Sequence, residues 1–450
     1  MTTPLWRDVT AEIPLTALPS GLRVDVAVVG AGFTGLHTAL LLARSGLRVA
    51  VVEARRVGAG ASGATTAKAT LLQRTRLSDI ADRHGRDAAA AYLAANDFGL
   101  EWMAGFCRDH DVPVERTRAV TFSTTDDGAE AVRREYATAR DLGLPVELIE
   151  HPAEEFATHL AVALPDMLQL DPADLLVALG RAVVDAGGSI HDHTRVTGLD
   201  SGADGVTVET TAGTLHAGKV VLATASPILD HGRTTMSLAA QRSYLCAYRA
   251  PGPLPEGMFI SAEEPTISLR TARVDGDEWL LVGGQGHPTG QEADTGARRT
   301  HAWSAQDYHP VSMLPVVEKL SWGGDRVFFA GGYSKWGLAA APAAAHIVAD
   351  LVAGREPTLT FGSPSVAATA ATTASTLTKA ATGRAGVRPV GESVVDGRTC
   401  RVSLLCTHMG GLLEWNEVEQ SWDCPLHGSR FAADGTVLEG PAVKDLPQVE

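Results

Sequence analysis

VDVAVVGAGFTGLHTALLLARSGLRVAVVE, residues 24 to 53, is the stretch that decides how this chain folds. Residues 24–29 are mostly valine and lack the alternation of a half-exposed strand, so they read as a buried parallel one. The turn Gly30, Ala31, Gly32, Phe33, Thr34, Gly35 follows at once. Residues 36–45 have the length and propensity of a helix that Gly46 ends. Residues 48–52 form a second strand, which runs into Glu53. Gly30 permits the tight turn, Gly32 lets the backbone approach a pyrophosphate, and Gly35 lets helix pack close on strand. The free N–H groups at the helix start are placed to receive phosphates. Glu53, eighteen residues past Gly35, is placed to accept hydrogen bonds from a ribose diol. It would repel a 2′-phosphate, which argues against NADP. A lone GxGxxG is a weak sign, since a glycine-rich turn can exist without a ligand. With strand, helix, second strand and terminal acid in sequence, the stretch reads as a dinucleotide site.

Length and charge bound the rest. At 450 residues the chain can hold two or three domains with their own cores. Thirty-eight basic residues against 53 acidic ones give a net charge of −15, which argues against nucleic acid or an anionic membrane as the main partner. No run approaches the length of a membrane span. The first residues lack the basic and apolar regions of a signal peptide, so the expected location is cytoplasmic. Five cysteines in so long a chain are no disulfide framework. Cys107 and Cys246 read as small buried hydrophobes, whereas Cys400, Cys406 and Cys424 crowd the C-terminus.

Along the chain, residues 1–22 read as a loose arm carrying Trp6. The small-residue run GAGASGA, residues 58–64, marks a place where backbone passes something closely. Residues 79–110 have helical spacing (Ala88, Tyr92, Ala95, Phe98, Trp102), and residues 118–170 alternate short β-like runs with turns. Asp171 and Pro172 cap a helix over 175–186. Residues 206–211 and 215–216 form a hairpin, 219–223 a buried strand, and 243–249, 266–272 and 279–282 further strands. Gly283 and Gly284 invite a second nucleotide site, but QEADTGARRT beyond them has no apolar face to pack as a crossover helix. Without a second fingerprint, a flavin reductase fed by NAD(P)H loses ground. Residues 326–330 form a strand, GGYSKWGL a glycine-rich turn, and 339–352 a helix whose N-terminus faces a ligand.

The fingerprint with Glu53, the GAGASGA run, the TRVTGLD and KVVLATAS strands and the late GGYSKWGLAAAPA turn resemble the flavin-dependent D-amino-acid oxidase/glycine oxidase (DAO) family over residues 20–355. The resemblance implies a Rossmann-like α/β FAD-binding domain with an inserted β-rich (α+β) substrate domain. It implies FAD bound extended and noncovalently. The pyrophosphate would lie along Gly30, Gly32, Phe33, Thr34 and Gly35, and the nucleotide against Glu53, Ala54, Val196 and Ala223. The isoalloxazine would lie near Gly60, Ala61 and Ser62 and near Gly331, Gly332, Trp336, Gly337 and Leu338. Oxidation of a C–N bond by hydride transfer is the implied reaction. The chain departs from the family's pattern at Ser312, where an aspartate is usual, and at Thr224-Ala225, which lacks the common glycine.

Residues 361–385, FGSPSVAATAATTASTLTKAATGRA, are rich in Ala, Thr and Ser and read as a linker. Past them stand Cys406-Thr407-His408 and, after fifteen residues, Cys424-Pro425-Leu426-His427. Two Cys–His pairs suit zinc or a [2Fe–2S] cluster with two imidazoles on one iron. The neighbouring Gly410-Gly411, Pro425, Gly428 and Ser429 make residues 386–450 resemble a Rieske domain, a small all-β module with Cys406, His408, Cys424 and His427 as cluster ligands. Respiratory types carry a disulfide where Gly411 and Leu426 stand, and a tyrosine in place of Phe431. Fewer hydrogen bonds to sulfur imply a potential toward the low end of the Rieske range.

The expected layout is thus a flavin oxidoreductase over residues 1–360, a linker over 361–385 and a Rieske domain over 386–450. FAD takes two electrons and releases them singly, so the pairing implies amine or amino-acid oxidation, with electrons leaving through the cluster to a one-electron acceptor protein or O2. Some relatives carry an oxygen-activating lysine before the glycines that match Gly283-Gly284. No lysine stands there, which favours a dehydrogenase. Arg270, on a strand where relatives often hold the substrate carboxylate, is the substrate candidate, with Tyr244 and Lys335 beside it. His287 reads as a loop residue. An electron-transfer or redox-sensing protein without an amine substrate is the alternative. A chain cut before Arg384 is expected to keep its flavin reduction, provided the FAD domain, whose core is separate in sequence, folds alone.

Overall fold

The computed structural model describes residues 4–150, 158–230, 232–249, 254–288, 301–364, 389–395 and 397–449. The fingerprint strand, Leu22–Val29, lies inside an eight-stranded sheet. It pairs in parallel with Val49–Val52 on one side and Gly213–Leu222 on the other. Val327–Gly331 and Ser189–His191 extend the parallel part, and Val316–Lys319 closes one edge antiparallel. Val26, Ala27, Val28 and Val29 are all buried, since sheet neighbours flank them and other elements cover both faces. The expected hairpin and buried strand are one strand, Gly213–Leu222, whose first half pairs antiparallel with Gly205–Thr210.

Helices Phe33–Arg44, Pro172–Asp185 and Gly337–Val352 pack together on one face. The first begins at Phe33, three residues before its expected start. The alanine-rich stretch is two helices, Arg76–His84 and Arg86–Asp109, parted by Gly85 at φ +92°. Arg86–Asp109 crosses Gly337–Val352 so closely that a Cβ on Gly99 would stand 1.9 Å from the Ala339 carbonyl oxygen.

A second, nine-stranded sheet runs in the order His301–Pro310, Leu238–Tyr248, Asp277–Pro288, Ser268–Val274, Met258–Ser261, Val114–Ser123, Leu160–Leu170 and Lys68–Ala69, with Glu147–Ile149 paired to Leu160–Leu170. Gly283 and Gly284 lie within the strand Asp277–Pro288, with no nucleotide turn there, and the backbone of His287 belongs to that strand. QEADTGARRT and residues 365–385 of the expected linker lie outside the described residues. The 118–170 region contains a helix, Asp126–Asp141, that the β-like reading missed. Its inner face carries Ala129, Val132 and Ala139 together with Glu135, which is fully buried. The charge breaks the apolar stripe. Its carboxylate accepts the Leu77 and Ser78 N–H groups at the start of the neighbouring helix.

The N-terminal arm is docked. Trp6 is 5 % exposed, its indole N–H donates to the Thr65 carbonyl at 2.8 Å, and Arg7 pairs with Asp171 and Asp174. Residues 390–449 form a hairpin, Val390–Val395 with Arg398–Ser403, and a four-stranded antiparallel sheet, Glu414–Asn416, Ser421–Asp423, Arg430–Ala432 and Val437–Glu439. Their own core includes Val402, Trp422 and Phe431.

Candidate functional site

One cavity runs between the two large sheets. It begins at the fingerprint turn, where Gly30 is left-handed at φ +105° and a Cβ would stand 2.6 Å from the Ala223 carbonyl oxygen. A Cβ on Gly32 would stand 2.8 Å from Ser62 Oγ, which accepts the Phe33 N–H at 3.0 Å. Glu53 braces this turn. One carboxylate oxygen accepts the Ala31 N–H at 2.9 Å and the other the Arg55 N–H at 2.9 Å. Thr34 Oγ1 donates to the Tyr333 hydroxyl at 3.0 Å, joining the first turn to the late one. Two helices of eight residues or more, Phe33–Arg44 and Gly337–Val352, start at the cavity. Bare backbone, helix N-termini and an acid at the strand end suit a dinucleotide. Among the expected cofactor residues Gly30, Gly32, Phe33, Thr34, Glu53, Ala54, Gly60, Ala61, Ser62, Val196, Ala223, Gly332, Trp336, Gly337 and Leu338 line the cavity. Gly35 and Gly331 do not line it. A Cβ on Gly35 would meet the Gly30 carbonyl oxygen at 1.8 Å and one on Gly331 the Ala225 carbonyl oxygen at 2.9 Å, so both serve packing.

Lys335 faces the cavity from a left-handed backbone, φ +78°. Burial lowers its pKa and nearby Asp307 works against that. Burial raises the Asp307 carboxyl to about 6, opposed by the Tyr308 N–H and Lys335. Asp307 Oδ1 accepts the Tyr308 N–H at 2.8 Å and Oδ2 has no partner among the described atoms. Lys68, which the sequence reading missed, also lines the cavity. Its ammonium donates to Ser268 Oγ at 2.7 Å and the Phe259 carbonyl at 2.8 Å, with its pKa far lowered by burial and then by Arg270.

Two of the three substrate candidates fall elsewhere. Arg270 is 3 % exposed and does not reach the cavity. Its guanidinium donates to the Ala67 carbonyl at 2.8 Å and the Leu170 carbonyl at 3.3 Å, and lies 5.6 Å from the Trp6 ring centre. It is a strut between strands and the docked arm. Tyr244 lies on the opposite face of its strand from the cavity-lining Ser243 and Leu245, toward Asn416 and Glu419.

The two Cys–His segments fold alike. The Gly410 N–H donates to the Cys406 carbonyl and the Gly428 N–H to the Cys424 carbonyl, each at 2.9 Å, with both glycines left-handed at φ +72° and +79°. Cys406 and Cys424 are buried side by side, and the rings of His408 and His427 stand edge to face with centres 5.2 Å apart. The Cys406 thiol is held below its ordinary range by the Cys424 hydrogen bond, the His408 and Met409 N–H groups and the Ser429 hydroxyl. The His427 and Leu426 N–H groups point at Cys424. Paired thiols, paired imidazoles and N–H groups aimed at sulfur fit a two-iron cluster. Among the described residues no three His, Cys, Asp or Glu side chains converge on one ion. A Cβ at Gly411 would stand 3.1 Å from Leu426 Cβ, so the positions of the respiratory disulfide face each other.

These loops are seated on the flavin half. Tyr308 donates to the Gly440 carbonyl at 3.1 Å and the His427 carbonyl at 3.4 Å, and Gln306 to the Gly428 carbonyl at 2.8 Å. His408 Nε2 lies 3.4 Å from the Asp230 carbonyl oxygen. On strands Leu238–Tyr248 and His301–Pro310, Ser243, Leu245, Ala305 and Asp307 face the cavity, whereas Arg242 and Tyr308 reach the Cys–His module. These two strands lie between part of the cavity and the cluster loops, while Leu438, Glu439, Gly440, Ala442 and Val443 of the module line the cavity directly.

Residues 25–351 match the family model "FAD dependent oxidoreductase" (DAO), and residues 377–450 match the "Rieske [2Fe-2S] domain". YhfW of Bacillus subtilis (strain 168), named as a Rieske 2Fe-2S iron-sulfur protein, is 28% identical over 99% of this chain and 97% of its own. Glycine oxidase of Geobacillus kaustophilus is 26% identical over 74% of this chain and 94% of its own, and its crystal structure matches with a TM-score of 0.63 over 75% of this chain and 97% of its own. L-proline dehydrogenase of P. horikoshii, 18% identical, shares the fold with a TM-score of 0.63, covering 76% of this chain and 96% of its own. With a fingerprint cavity for FAD and a two-iron module seated behind its sheet, the chain belongs to the DAO family of FAD-dependent oxidoreductases and carries a C-terminal Rieske [2Fe–2S] domain.

Proposed function

We propose that this oxidoreductase oxidises the C–N bond of an amine or amino acid and passes the electrons singly through the Rieske centre to an acceptor protein. The observation that carries this reading is the pair of strands between part of the cavity and the cluster loops, with Asp307 on one face and Tyr308 on the other. FAD, when bound, supplies the hydride acceptor and the conversion from electron pairs to single electrons. Gly30, Gly32 and the N-terminus of helix Phe33–Arg44 would take its pyrophosphate, and Glu53 its ribose. Lys335 and Lys68, which line the cavity together with Arg55 and Arg195, would receive a carboxylate. Ionised Asp307 would hold the substrate nitrogen. Loss of hydride from a neutral amine needs no protein base, so these groups bind and orient.

The glycine oxidase relative supports an amino-acid substrate. The expected division at 1–360, 361–385 and 386–450 remains our proposal for the domain limits. A cytoplasmic location is part of this proposal. No helix among the described residues is long and apolar enough to cross a membrane. The test is an anaerobic screen of amines and amino acids on the full chain. Flavin absorbance should bleach with a member of this class, and the Rieske signal should then appear in the electron paramagnetic resonance spectrum. Bleaching by hydroxy acids alone, or by no small molecule, would overturn the substrate assignment.

A further inference from the structure

Glu439 sits where the redox roles of the two modules do not require a charge. It belongs to the Rieske strand Val437–Glu439, yet it lines the same cavity as Gly30, Glu53 and Lys335, as do Leu438, Gly440, Ala442 and Val443. Its carboxylate lies 3.2 Å from Arg242 Nη2, on the flavin half, and 3.5 Å from Arg430 Nη1, on its own half. Burial opposes ionisation, but Arg242, Arg430 and Arg55 together hold this carboxylate below its ordinary range. Arg242 is 1% exposed, so the pair is shielded and depends on both halves staying together.

The segment around Glu439 is pinned on every side. Tyr308 donates to the Gly440 carbonyl, the Ala442 N–H donates to Ser429 Oγ at 3.0 Å, and a Cβ on Gly440 would stand 3.3 Å from Ile228 Cγ2. Val443 packs into the apolar cluster that holds Leu238, Tyr308 and the strand Leu22–Val29. We propose that the Rieske module is a structural wall of the flavin cavity. Its residues 438–443 complete the FAD site, and Glu439, clamped by Arg242, is the positioning residue that seats the wall.

A ligand that touches both halves binds the seated state better. By reciprocity, seating raises affinity for the ligand. The coupling is independent of substrate and of the electron path, so it can fail or hold separately from the proposed reaction. The test uses flavin-depleted full chain with its cluster retained, titrated with FAD. Arg242→Leu should weaken FAD binding by a factor of about 5 to 150, the ordinary range of site coupling, while iron content and the Rieske signal stay at wild-type levels. Arg242→Lys should recover most of the affinity, because it keeps the charge opposite Glu439. Tyr308→Phe should weaken FAD binding in the same direction and less. In the unaltered chain, amide exchange at residues 437–443 should slow when FAD is added. If Arg242→Leu fails to fold, Tyr308→Phe and the exchange measurement decide. FAD affinities within about twofold of wild type in the soluble variants, or exchange at 437–443 that ignores FAD, would overturn the proposal.

Discussion

At the scale of single residues, Glu53 shows how one side chain can carry a second role that its place in the sequence does not announce. Its place at the end of the second strand announces a ribose acceptor. In the structure its oxygens are also the staples of the glycine turn, through Ala31 and Arg55. Glu53→Ala should therefore weaken FAD binding by about 1–3 kcal/mol, the range for leaving a buried hydrogen-bonding partner unsatisfied. Fluorescence titration checks this, and an unchanged dissociation constant would remove Glu53 from the ribose. Asp307 carries the pH dependence. Burial raises its pKa from 3.8 to about 6, so the folded state binds more protons than the unfolded one between those values. The stability it contributes is fully present below pH 3.8 and lost as pH rises through 6. If ionised Asp307 holds the substrate nitrogen, flavin reduction at constant free-amine concentration should climb through pH 6. Asp307→Asn should flatten that limb, which stopped-flow absorbance would show. The fingerprint glycines were legible because a backbone-to-phosphate approach admits no other residue. Asp307 and Lys68 were not, because nothing in a strand's own sequence tells which face will border a ligand.

At the scale of elements, the cap of the helix Pro172–Asp185 was legible, although the helix itself starts three residues before the expected 175. Asp171 accepts the Ala173 N–H at 2.7 Å and Pro172 follows in the first turn, and both are signals that act locally. Arg7 adds a charge from the arm at 3.6 Å. Asp171→Ala should cost about 0.5–2 kcal/mol of stability, measurable as a lower denaturation midpoint with unchanged slope. A smaller loss would mean that the arm, not the cap, holds this helix start. The helix Asp126–Asp141 was missed for the opposite reason. Buried Glu135 sits in the middle of its inner face and serves Leu77 and Ser78, so its sequence stripe looks polar where the structure is closed. Burial pushes the Glu135 carboxyl up to about 7, which marks a partnership with another helix that no local pattern could reveal. Arg270 was misplaced likewise. A strand arginine looks like a carboxylate receptor until two carbonyls, from residues 67 and 170, are found already bonded to it.

At the scale of the whole molecule, two modules separated in sequence proved to share a cavity and a buried ion pair. The sequence made equal behaviour of a chain cut before Arg384 conditional on the flavin half folding alone, and the contacts of Arg242, Gln306 and Tyr308 with residues 428–440 argue against that condition. This separates two alterations that would otherwise look equivalent. Cys406→Ala removes a cluster ligand and leaves the module's own core, Val402, Leu413, Trp422 and Phe431, in place. The wall should stay seated, so that variant should keep its FAD through desalting and keep its rate of anaerobic flavin reduction. Its turnover with a one-electron acceptor should fall steeply, while any turnover with O2 persists. Deleting residues 386–450 takes away the wall and leaves Arg242 without Glu439, a loss on the order of 3–5 kcal/mol where a buried pair is broken. The shortened chain should shed FAD or fail to stay folded. Equal FAD retention by both forms would show that the cavity does not need its Rieske wall. Undiminished one-electron turnover in Cys406→Ala would instead take the cluster off the electron path, and would leave the module with the wall as its remaining role.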